Sequence, residues 1–159
     1  MNLLDNFPER IELFIKAANK HHLEMILVGG GAVNFYGFQR HSADLDFWID
    51  INENNLKNLL STLRELNYIF DDIPEKVKKG EQNISIKISP IFELEIITSF
   101  NPGKSFYEAL KESKLVEKGD FYYNVLSFND LIQSKISSTR LKDKLDVEEL
   151  HRIKLNKNK

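Results

Sequence analysis

Asp44 and Asp46 stand one residue apart in the stretch ILVGGGAVNFYGFQRHSADLDFWID, residues 26–50. On a strand that spacing turns both carboxylates to one side, roughly 6–7 Å apart along the backbone, where they repel each other unless a cation lies between them. Mg²⁺ suits such a pair, because it takes one or two carboxylates and completes its shell with water and substrate phosphates. About fourteen residues upstream, Gly29-Gly30-Gly31 ends an apolar run and leads into a short helical segment. A glycine turn opening a helix offers backbone N–H groups to an anion. Each feature alone has an ordinary explanation, the first as a solvated edge strand and the second as a tight turn that packs helix on sheet. Together they predict a site for a metal–phosphate complex.

Positioning such a site requires a sheet with helices around it, and the hydrophobic patterning supplies one. Pro8 followed by Ile11, Phe14, Ile15 and Ala18 predicts an amphipathic helix over 8–21, and Met25 to Val28 a short strand. Ala32 to Tyr36 suits one or two helical turns closed by Gly37. Residues 43–51 alternate as a strand, with Asp44, Asp46, Trp48 and Asp50 on one face and Leu45, Phe47 and Ile49 toward the core. Leu56, Leu59, Leu60, Leu63 and Leu66 predict a second amphipathic helix over 52–66. A weak strand is expected over 68–71, a polar surface loop over 74–83, and two alternating strands in ISIKIS and IFELEIITSF. Further on, the spacing predicts a short helix over 105–112 and a hairpin turning at Gly119-Asp120. Ser127 with Asp130 resembles a capping box opening a helix to about residue 137; a last helix is expected over 141–153, and LNKNK as a frayed end. His21 and His22 suit the C-terminal dipole of the first helix, His41 reads as a polar loop residue, and Trp48 either borders a pocket or fills a gap.

Composition bounds the alternatives. The 159 residues, 42% of them hydrophobic with eleven phenylalanines, suffice for one domain with a real core. A formal net charge of −2 gives no overall basic field, although a local basic patch is compatible with it. The absence of cysteine excludes disulfides, thiolate metal sites and a cysteine nucleophile. No run approaches the roughly 20 apolar residues of a membrane span, and the first twelve residues carry acids rather than a basic leader. The expectation is a soluble, cytoplasmic protein with no membrane partner.

The order strand, Gly-Gly, short helix, then Arg40-x-Ser42-x-Asp44-x-Asp46 resembles the small nucleotidyltransferases of the polymerase-β-like superfamily, notably those of abortive-infection and toxin–antitoxin modules. The likeness is strongest over residues 26–50. It implies an α/β (α+β) nucleotidyltransferase fold: a central mixed sheet flanked by helices over about 24–100, then a hairpin and C-terminal helices over about 104–153, all one domain. It also implies a third carboxylate on a later strand, for which Glu95 in FELEIITSF fits best and Glu93 on the same face comes second; most relatives carry aspartate there. A basic and acidic C-terminal motif is implied too, matched in DLIQSKISSTRLKDKLDVEEL by Lys135, Arg140, Lys142, Asp143 and Asp146. By physics alone that segment is a charged helix start whose surface ion pairs add little stability.

The activity implied by the resemblance is transfer of a nucleoside monophosphate from an NTP such as ATP to an acceptor. Asp44, Asp46 and Glu95 would hold two Mg²⁺ ions, with Glu95 as proton acceptor. Gly29, Gly30 and Gly31 would surround the phosphates, Lys135 would offset triphosphate charge with Asp143 orienting it, and Arg40 and Arg140 would add contacts to the nucleotide. Relatives modify tRNA 3′ ends, partner-protein side chains or small antibiotics, and fold analogy does not choose among them. The resemblance also makes an antitoxin partner an expectation, and the short C-terminal part leaves a homodimer as the way to wall a small-molecule pocket. The alternative is a catalytically degenerate nucleotide-binding or partner-binding module of the same fold, favoured by glutamate at 95.

Overall fold

A computed structural model describes residues 8–38, 44–90, 92–136 and 140–157. Helix α1 (Glu9–Lys20) begins after Pro8, whose fixed φ suits a helix entry, and buries Ile11, Phe14, Ile15, Ala17 and Ala18. Strand β1 (Met25–Val28) is buried along its whole length. Helix α2 (Gly29–Phe35) follows with no intervening turn, so the three glycines form its first turn rather than a separate loop. Strand β2 (Asp44–Ile49) and helix α3 (Glu53–Glu65) come next, the latter capped by the Asn52 side chain, which accepts from the Asn55 N–H at 2.8 Å.

Between α3 and the next strand the structure departs from expectation twice. Residues 68–71 pair with no strand; the Arg64 guanidinium donates to the carbonyls of Phe70 and Asp71, which satisfies backbone groups that a ladder would otherwise have used. The polar stretch 74–83 contains a one-turn helix, α4 (Glu75–Lys78), entered from Pro74 and pinned by Lys78 to Asp72 at 2.7 Å. Strands β3 (Ile84–Ser89) and β4 (Phe92–Ile97) form as their alternation predicts. Helix α5 (Phe106–Glu112) carries a complete capping box between Ser105 and Glu108. The hairpin β5 (Lys114–Lys118) and β6 (Phe121–Val125) leads into α6 (Phe128–Ile136), where the Ser127 hydroxyl accepts from the Asp130 N–H. Helix α7 (Leu141–Lys157) runs four residues past the expected end, taking in most of the tail read as frayed.

The six strands among the described residues join one mixed sheet in the order β3-β4-β2-β1-β6-β5. Strands β2 and β4 are parallel neighbours, as are β1 and β6, while β1–β2, β3–β4 and β5–β6 are antiparallel. The C-terminal hairpin therefore extends the same sheet. One face of β2, with Leu45, Phe47 and Ile49, is buried, and Phe47 lies 6.0 Å from the Phe14 ring of α1. On the other face Trp48 is also buried, 5.0 Å from Phe106 in an edge-on contact and 5.1 Å from Phe100. Trp48 is thus a core residue, and the face that carries acids at one end of β2 becomes apolar at the other. Among the described residues no helix is long and apolar enough to cross a membrane.

Candidate functional site

Because the connection from β1 to β2 reverses direction, the end of β1 lies beside the start of β2: Val28 pairs with Asp46, and Gly29 follows immediately. Gly29 has φ +61°, and a Cβ there would stand 2.6 Å from Asp46 Oδ2. Only glycine allows the chain to turn at this point with the carboxylate pressed against it. Gly31 has a different reason: a Cβ would meet Leu45 Cδ1 at 2.8 Å and Leu27 Cδ1 at 3.0 Å, so its absence lets α2 sit on the core. Gly30 is half-buried between them.

The parallel register between β2 and β4 opposes Asp44 to Glu93 and Asp46 to Glu95. Opposed residues share a face, and neighbouring strands are about 4.8 Å apart, so four carboxylates form two adjacent rungs. Strand β3 continues both rungs, with Lys87 opposite Glu93 and Ser85 opposite Glu95. The outer rung thus has its own cation, while the inner rung, Asp46–Glu95–Ser85, has none on the sheet. This places Glu95, rather than Glu93, beside the more buried aspartate.

Asp46 carries the electrostatic signature of the site. Its pKa is pushed up from 3.8 to about 6, first by burial, then by the charges of Glu95 and Asp44, against the opposing pull of Lys142 and Lys135. Its Oδ1 is buried with no hydrogen-bond partner among the described residues. A buried carboxylate oxygen left without a donor is costly and calls for an explanation. The all-oxygen donor set of Asp44, Asp46 and Glu95 is what a hard divalent cation takes, and the orphaned oxygen fits one. Among the described residues no group of three or more histidine, aspartate or glutamate side chains is close enough to hold a metal ion by itself, so a cation here would draw the rest of its shell from water and substrate phosphates.

Helices α6 and α7 bring the C-terminal motif together. The Lys135 ammonium lies 3.1 Å from Asp143 Oδ1 and 3.0 Å from Asp146 Oδ2, with the three side chains 7%, 4% and 1% exposed. Arg140, itself exposed, donates from Nε to Asp143 Oδ2 at 2.8 Å. Asp143 is therefore shared between two cations, and Asp146 is a second anchor for Lys135. The spacing Lys142-Asp143-x-x-Asp146 contained the signal, since residues three apart share a helix face. Lys142, exposed on α7, is the further residue whose charge reaches Asp46. Arg40, His41 and Ser42 lie outside the described residues.

No family model matches the chain, and no curated protein matches it.

Proposed function

We propose that the protein is a Mg²⁺-dependent nucleotidyltransferase, moving a nucleoside monophosphate from an NTP to an acceptor hydroxyl on a tRNA end, a protein side chain or a small molecule. The observation that carries this reading is the inner rung: Asp46, with a buried unpartnered oxygen, pressed against the positive-φ Gly29 and opposed to Glu95. Asp44, Asp46 and Glu95 are the residues that would hold the metal. The chemistry supplied by Mg²⁺ when bound is neutralisation of triphosphate charge and a lowered pKa of the acceptor hydroxyl.

The rest falls to the chain's own groups. The first N–H groups of α2 have no intrahelical acceptor and face the same end of the sheet, where they suit the oxygens of the leaving pyrophosphate. Lys142 adds a cation free to move on its four-carbon stem, while Lys135, whose charge also reaches Asp46, is fixed in place and largely neutralised by two aspartates. In the reaction the acceptor oxygen bonds to the α-phosphorus as the bond to the bridging oxygen breaks. Pyrophosphate leaves, and Glu95 takes the acceptor proton. A second reading, a module that binds nucleotide without turnover, is favoured by glutamate at 95, whose extra methylene alters where the carboxylate can reach.

The test is thermal stability with each of the four NTPs, with and without Mg²⁺, on wild type and on Asp44→Asn/Asp46→Asn. Ligand at a hundred times its Kd adds about 2.7 kcal/mol, or several degrees for a chain of this size. The expected result is a Mg²⁺-dependent shift for one preferred NTP that disappears in the variant. Absence of any shift would overturn the reading. A shift accompanied by no pyrophosphate release across acceptor candidates would support the binding module instead.

A further inference from the structure

Away from the carboxylates, four elements distant in sequence bring rings and cations into one chain of contacts. Lys114 of β5 lies 6.0 Å from the ring of Phe35, Phe35 meets Tyr36 edge-on at 5.0 Å, Tyr36 meets Phe128 edge-on at 5.5 Å, and Lys154 of α7 lies 4.9 Å from Phe128. A groove of about 190 Å³ opens here between Tyr36, Phe128, Ile153, Lys154 and Lys157. The three rings are half-buried, so each keeps part of its surface in solvent, and the lysines are exposed. The central ring is anchored: the Tyr36 hydroxyl donates to the Leu126 carbonyl at 2.7 Å and is held protonated, its pKa pushed up to about 12 by burial and by the charge of Asp130. Asp130 itself is buried and paired with Lys104 at 3.0 Å, so it does not neutralise the lysines of the groove. From Leu150 to the end of the chain the sequence holds Arg152, Lys154, Lys157 and Lys159 and no acid. Arg152 is paired with Glu149 one turn back, so Lys154 and Lys157 are the described cations that border the groove.

We propose that this belt is a docking surface for single-stranded nucleic acid, with bases on the ring edges and faces of Phe35, Tyr36 and Phe128 and phosphates on Lys114, Lys154 and Lys157. Three adjoining rings with lysines at either end suit a polymer that carries flat bases together with phosphates. An acidic peptide would satisfy the lysines and leave the rings without a flat partner. A duplex keeps its bases stacked inside and would use only the lysines. The surface stands apart from the transfer reading and does not depend on turnover at Asp46.

Fluorescence anisotropy with a labelled twelve-nucleotide RNA of mixed sequence tests it on the full chain. Wild type is expected to bind, and Lys154→Glu/Lys157→Glu to bind at least about tenfold more weakly, with the slope of log K against log salt reduced by about 1.4 for two lost phosphate contacts. Lys57→Glu, on the far helix α3, is the charge control and should bind as wild type; circular dichroism melts confirm that all variants fold. The proposal is overturned if wild type does not bind, or if Lys57→Glu weakens binding equally. It is also overturned if polyglutamate or anionic vesicles bind as tightly with the same sensitivity to Lys154 and Lys157. Because the NTP–Mg²⁺ thermal shift is read separately, loss of either result leaves the other intact.

Discussion

At the scale of the residue, Asp46 sets function against stability. A carboxyl whose pKa rises on folding binds its proton more tightly in the folded state, so stability is highest when the group is protonated and declines as pH rises from about 4 through about 6. Asp46→Asn removes that decline. We expect the variant to match wild type near pH 4 and to exceed it at pH 7 by about 1–3 kcal/mol, the upper figure being the full pKa shift and the lower one its value after solvent screening. Urea denaturation across that pH range checks it; a variant less stable than wild type at pH 7 would refute the cost assigned to the ionised Asp46. The D-x-D spacing made the pair visible in the sequence. Its inequality was not visible, because Asp44 is exposed and Asp46 half-buried only through the approach of Gly29 and the neighbouring strand.

At the scale of the element, the joint between α6 and α7 depends on one buried cation. Lys135→Ala leaves Asp143 and Asp146 buried beside each other, which should cost about 3–5 kcal/mol. Arg140→Ala removes only an exposed partner and should cost less than about 1 kcal/mol. Chemical denaturation of the two variants distinguishes a buried anchor from the surface ion pairs that the charge pattern alone suggests; equal losses would refute the anchor. Helices α1 and α3 and strands β1 to β4 were legible because one periodicity dominated each. The short α4 and the irregular 68–71 were not, since Pro74 entry and Arg64 capping are local hydrogen-bond events that leave little pattern. The length of α7 was missed for a related reason: its second half is too polar to show a period, yet it docks through Ile153 beside Gly37, and Lys154 lies over Phe128.

At the scale of the whole molecule, one sheet spans the chain from β1 to β6, and both faces of β2 are packed. Trp48, the single tryptophan, sits between Phe100 and Phe106 in that packing. Its fluorescence and the far-ultraviolet circular dichroism should therefore report one coincident unfolding transition, and two separated transitions would refute a single cooperative core. The sequence by itself determined most of the local elements and set Asp44 and Asp46 on one face of a strand close after three glycines, because strand alternation and backbone sterics act over a few residues; the acid at 95 was an expectation of the resemblance. Only the tertiary structure decided that Asp46 opposes Glu95 while Lys87 opposes Glu93, that Lys135 lies between two aspartates, and that four separate elements bring Lys114, Phe35, Tyr36, Phe128 and Lys154 into successive contact. Register and helix docking depend on which surfaces exclude water together, and that is a property of the folded chain rather than of any segment.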